Sequence, residues 1–133
     1  MYHIGHNRKL YILAAKYYDN MEQKSLFLKA YGNNPKLNVL DFLVTFQEFD
    51  YSMKDIAKNA KIGYNTLKLF WKDLVDRKIV TRTRVVGKAK MYKLNKENPE
   101  VKEFIKLYWL VIDRETERLL SQKKLLLKQL KDV

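Results

Sequence analysis

SMKDIAKNAKIGYNTLKLFWKDLVDRKIVTRTRVVGKAKMYKL, Ser52 to Leu94, is the stretch whose reading decides the fold. Ser52 followed three residues later by Asp55 has the spacing of a capping box, with aspartate in place of the usual glutamate, so a helix is expected from Met53 to near Asn59. Within it Ile56 and Ala57 face the core, the small alanine letting the next helix cross closely. Gly63 can N-cap a second helix from Tyr64 to about Arg77. Leu67, Phe70, Trp71 and Leu74 mark its buried face, which leaves Tyr64, Asn65, Lys68 and Lys72 outward. Ile79 to Val85 and Lys90 to Leu94 are β-prone segments around Val86, Gly87, Lys88 and Ala89, a hairpin with glycine at its turn.

Upstream, Leu10, Leu13, Ala14, Tyr17, Met21, Leu28 and Tyr31 recur at helical spacing, weakening around Lys24 and Ser25, so Asn7 to Tyr31 is one long helix or two short ones. Gly32, Asn33, Asn34 and Pro35 form a stop, a turn and a restart. The next helix should run from Pro35 to about Phe46, burying Leu37, Leu40, Leu43 and Val44. Downstream, Asn98 and Pro99 open a last helix with an N-cap and an N1 proline, and nothing breaks it before residue 131. Its length of roughly 48 Å exceeds what a small domain needs for its own core. Val101, Ile105, Tyr108, Ile112, Leu119, Leu126 and Leu130 follow a near-heptad stripe, interrupted by Thr116 and Lys123, and such a stripe calls for a partner helix.

The 133 residues carry a formal charge of +12, unevenly spread. Residues 79–96 hold +6 with no acid among them, from Arg82, Arg84, Lys88, Lys90, Lys93 and Lys96, whereas residues 97–133 hold only +1. A surplus concentrated on one hairpin favours a polyanionic partner. There is no cysteine, hence neither disulfide nor thiolate metal site. His3 and His6 lie near the N-terminus, where two imidazoles need further ligands to hold a metal, and no cofactor is expected. The run LYILAA near Arg8 and Lys9 is cut by Lys16 before it makes a signal peptide, and the apolar run Leu107 to Ile112 is far too short to span a membrane. The expectation is a cytoplasmic protein without a membrane segment.

From Tyr31 to Asn98 the chain resembles the small archaeal winged-helix regulators of the MarR and ArsR types. The residues that carry the resemblance are YGNNPKLNVLDFL, then DYSMKDIAKNAKIGYNTLKLFWKDL, then RTRVVGKAKMYKLNKENP, the last being the wing and its exit. The resemblance implies sequence-directed DNA binding as a dimer, with the second helix in the major groove and the wing alongside. The expected fold is mainly α: residues 32–96 form a winged helix-turn-helix with a two-stranded hairpin wing, and residues 1–31 and 97–133 supply dimerisation helices.

The chemistry of the residues agrees on separate grounds, because a helix fits the major groove and its N-terminal side chains reach base edges first. Asn65 can pair with adenine, Tyr64 and Thr66 can bond phosphate or touch a thymine methyl, and Lys68 can reach guanine or phosphate. Lys72, one turn on, is placed for backbone, and Ser52 joins the contact set at the first helix. On the hairpin, strict alternation puts Arg82 and Arg84 on one face, and with Lys88 and Lys90 they would clamp phosphates, or Lys88 at the tip would enter a minor groove, unopposed by any acid in the hairpin. Homodimer contacts are expected at Leu10, Leu13, Tyr17, Tyr108, Ile112, Leu119, Leu126 and Leu130.

The carboxylate pairs Asp73 with Asp76 and Glu115 with Glu117 lack an accompanying histidine or nucleophile and read as solvated helix charges, so no enzyme is expected. Tyr108, Trp109, Tyr11, Tyr17 and Tyr18 could line a cavity for a small-molecule effector, but packing at a dimer interface is the simpler account. The function expected is a transcriptional regulator, a repressor by preference, on a palindromic site. Two other classes use the same parts: an architectural protein coating DNA with little sequence preference, and a winged helix that docks on proteins.

Overall fold

The computed structural model describes residues 25–131. In order these form α1 (Leu26–Tyr31), α2 (Pro35–Thr45), β1 (Tyr51–Ser52), α3 (Met53–Asn59), α4 (Tyr64–Asp76), β2 (Val80–Val86), β3 (Ala89–Leu94) and α5 (Pro99–Lys131). Gly32–Lys106 make one compact unit, and the described residues before and after it belong to a second. The expected contacts Leu10, Leu13 and Tyr17 lie outside the described residues, as do Tyr11, Tyr18, His3 and His6.

In the first unit, each helix starts where a side chain or glycine can end the preceding turn. Asn34 accepts the Leu37 amide at 2.9 Å with Pro35 in the first turn, and Ser52 accepts the Asp55 amide at 3.2 Å. The ends of α3 and α4 follow a different rule. Ile62 donates to the Ala57 carbonyl at 3.0 Å and Ile79 to that of Leu74 at 2.9 Å, the six-to-one closure of a Schellman cap. The left-handed residue of each cap is a lysine, Lys61 at φ 59° and Lys78 at φ 57°, where glycine is usual.

The core of this unit is drawn from its helices and from the two long strands. Leu43, Ile56, Leu67, Leu74, Leu94, Val39, Val44 and Val101 are almost wholly buried; a buried aliphatic side chain of this size contributes about 1.5–3 kcal/mol. The rotation of α2 differs from the expected one: Val39, Phe42, Leu43 and Val44 are buried, and Leu37 and Leu40 only half so. The large ring of Phe42 sets the phase, its centroid 4.8 Å from Tyr51 and 5.4 Å from Phe46. Phe70 is likewise half-buried, while Trp71 meets Tyr92 edge-on at 5.0 Å.

The sheet has three antiparallel strands in the order β1-β3-β2, not the two expected, because Tyr51 and Ser52 pair with Tyr92 and Met91. Its turn is tighter than expected: Val86 pairs with Ala89, leaving Gly87 (φ 62°) and Lys88 between them. Glycine at the first turn position takes the positive φ that the twist of a two-residue hairpin demands. Asn98 then joins the hairpin exit to the helix that follows. Its Oδ1 accepts the Glu100 amide at 2.8 Å, and its Nδ2 donates to the carbonyls of Arg77 at 3.1 Å and Lys78 at 2.9 Å.

In the second unit Leu26, Phe27, Tyr108, Ile112 and Thr116 are buried, with the Phe27 and Tyr108 rings 4.8 Å apart. Ser25 accepts the Leu28 amide at 3.1 Å, which starts α1 at the weak patch in the sequence. Thr116, a polar interruption of the stripe on α5, is accommodated by donating its hydroxyl to the Ile112 carbonyl at 2.7 Å. Further along the stripe Leu119 is half-buried, and Leu126 and Leu130 are exposed at 60% and 72%. No helix among the described residues is long and apolar enough to cross a membrane.

Candidate nucleic-acid interface

Leu67, Trp71 and Leu74 fix the inner face of α4. Successive residues turn by about 100°, which points Asn65 and Leu69 almost directly away from that face, with Lys68 and Lys72 beside them. All four are exposed, as is Tyr64, and Thr66 is half-buried. The Lys68 ammonium lies 4.9 Å from the Tyr64 ring centroid, a cation–π contact that holds both side chains over the first turn. Lys72 is paired with Asp76 one turn on, so the cationic part of the face closes there. Gly63 caps the helix without a side chain, leaving its first backbone amides bare of a capping group.

The wing departs from simple alternation. Arg82 pairs with Tyr92 and Arg84 with the next residue of β3, Met91, so Thr83 is the extra residue of a bulge. Because neighbours on a strand point to opposite faces, Arg82 and Arg84 lie on opposite faces of the hairpin, contrary to the expectation that they share one. Arg82 and Lys90 share the face of Tyr92, the residue that meets Trp71 of α4. Arg84 instead forms a two-pronged ion pair with Asp50, Nε to Oδ2 at 2.9 Å and Nη2 to Oδ1 at 3.1 Å, and Thr83 donates its hydroxyl to the same carboxylate. The hydrogen bonds from Arg84 and Thr83 hold the Asp50 carboxyl down at about 2. The hairpin charge is therefore not wholly unopposed: an acid 34 residues away in the chain answers one of its arginines.

With this geometry the chain matches solved structures over nearly its whole length. MepR, a transcription regulator of the Staphylococcus aureus multidrug efflux pump MepA, aligns with a TM-score of 0.53 at 17% identity, covering 95% of this chain and 91% of that one. NadR in complex with 4-hydroxyphenylacetate gives 0.52 at 21% identity, covering 99% and 93%. Lactococcus lactis ZitR gives 0.54 at 15% identity, covering 90% and 93%. The fold is a winged helix-turn-helix. The sequence matches no protein-family model and no curated protein.

On this winged-helix frame the side chains singled out in the sequence fall into three groups. Tyr64, Asn65, Lys68 and Lys72 sit together on the exposed flank of α4, and Arg82, Lys88 and Lys90 are exposed on the wing. Ser52 and Arg84 are both engaged within the fold, one capping α3 and the other held by Asp50. Tyr108, Ile112, Leu119, Leu126 and Leu130 lie on α5, the first two buried within the chain. Asp73 bonds Lys36 and Arg77, Asp76 bonds Lys72 and Glu115 bonds Arg118, so these carboxylates are surface ion pairs rather than a catalytic set. Two residues were missed. Leu69 is one helical turn from Asn65 and its exposure of 86% was available from the same periodicity; Asp50 carries no local signal, since only folding brings it to the wing.

Proposed function

We propose that the chain is a sequence-specific double-stranded DNA-binding transcriptional regulator, acting as a homodimeric repressor in the cytoplasm. The observation that carries this reading is the flank of α4, where Asn65, Lys68 and Lys72 stand exposed on the side opposite the core. In the major groove this flank would meet base edges, and Arg82, Lys88 and Lys90 would meet phosphates or the neighbouring minor groove. The winged-helix regulators that the chain is similar to in fold support the assignment.

The homodimer rests on α5, whose Leu125, Leu126, Leu127 and Leu130 are half or more exposed in a single chain. Apolar surface of this kind is buried against a partner in stable proteins. Two copies with recognition helices about 34 Å apart would read successive major-groove faces of a palindrome.

Genome-fragment selection with purified protein at physiological salt tests the proposal: one enriched palindrome is expected, and extended protection without enrichment would establish the architectural alternative. Neutralising about six phosphates per subunit contributes about −5 per subunit to the slope of log K against log salt, roughly −11 for the dimer. A slope near zero would overturn DNA binding altogether.

A further inference from the structure

Leu69 is more exposed than any other large apolar residue among those described, at 86%, and it occupies the centre of the outward flank of α4. It stands almost fully in solvent, and its neighbours on that surface are Asn65, Lys68, Lys72 and Asp73, the last neutralised by Lys36 and Arg77. An isobutyl group offers no donor or acceptor, so it can satisfy neither a phosphate nor a polar base edge. In a cationic surface suited to a polyanion it calls for the one apolar group that the major-groove edge of DNA presents, the C5-methyl of thymine.

We propose that Leu69 is a specificity-determining residue that reads a thymine methyl, a reading that rests on the DNA-binding function proposed above. The spacing gives the contact a place. Leu69 follows Asn65 by four residues, about 6 Å along the helix axis, which is close to two base-pair steps of about 3.4 Å. An adenine bonded by Asn65 and a thymine touched by Leu69 would then lie about two steps apart in each half-site. Asp76, seven residues beyond Leu69 and paired with Lys72, ends the surface that can approach DNA.

The test uses the full-length protein and the best fragment from selection. Each thymine of a half-site is replaced in turn by deoxyuridine, which removes only the methyl, and affinities are measured for the wild type and for Leu69→Ala. Because the side chain is exposed and alanine favours helix, the variant should keep its fold, verified by circular dichroism. One uracil position is expected to weaken wild-type binding about three- to tenfold, as desolvating a single methyl implies. Leu69→Ala should lose a similar factor and be indifferent to that uracil. The proposal is overturned if no uracil changes wild-type affinity by more than about twofold, or if the two losses multiply, since uncoupled sites have additive free energies. A protein that enriches no fragment overturns the DNA-binding reading itself, which is a different result from an enriched site that ignores uracil.

Discussion

Asp50 shows how one carboxylate can shape the wing. Its side chain is only 14% exposed, immediately before β1, and Arg84 and Thr83 both bond it from the strand that bulges. The bulge and the acid belong together: the extra residue rotates Arg84 off the face of Arg82 and brings two consecutive side chains to one acceptor. The folded carboxyl titrates at about 2, below an ordinary aspartate at about 3.9. A depressed carboxylate stabilises the fold above its unfolded pKa, and that contribution is lost as pH falls from about 4 towards about 2. Asp50→Asn should therefore have a lower melting temperature than the wild type at pH 6, and the gap should close across that acid window. A gap that stays constant from pH 6 to pH 2 would contradict the ion pair's role.

At the scale of elements, α4 and the wing divide the proposed work. A helix flank with Asn65 and Leu69 presents side chains that discriminate, whereas Arg82, Lys88 and Lys90 present charge that any sequence satisfies. Asn65→Ala is expected to relax base preference by about 1–3 kcal/mol at one position, measured on a set of single-base operator variants. Arg82→Ala with Lys90→Ala should weaken binding to all of those variants alike and reduce the salt slope by about two per subunit, roughly four for the dimer. Equal loss of preference from both would refute the division. The choice of Arg82 and Lys90 for this experiment comes from the bulge, because strict alternation pairs Arg82 with Arg84, which Asp50 already occupies. The element boundaries themselves were largely legible: α3 and the start of α4 fall where Ser52 and Gly63 place them. The expected Pro35–Phe46 helix ends at Thr45, within one residue, yet its rotation was not legible because apolar residues lie on more than one of its sides.

For the whole molecule the decisive element is α5, 33 residues long, with leucines on several sides of its last turns. Leu126→Glu with Leu130→Glu places charges on this surface without disturbing the buried residues Val101, Tyr108 and Ile112. The variant should stay helical and become monomeric by light scattering. Its operator affinity should drop by a factor of one hundred or more, on the order of 3 kcal/mol, since one half-site must then suffice. A variant that remains dimeric would place the interface elsewhere.

Local chemistry in the sequence alone determined the helix starts, the glycine turn of the hairpin, the basic wing and the outward side chains of α4. Each follows from residues a few positions apart, so capping, turn geometry and helical periodicity suffice to specify them. Tertiary structure decided what distant residues do to one another: the third strand at Tyr51, the answer of Asp50 to Arg84, and the phase of α2 around Phe42. It also decided the lysine caps at Lys61 and Lys78, where packing around each helix end imposes a left-handed backbone that lysine does not itself prefer. Pairings across tens of residues depend on which surfaces the core brings together, and no local propensity encodes that.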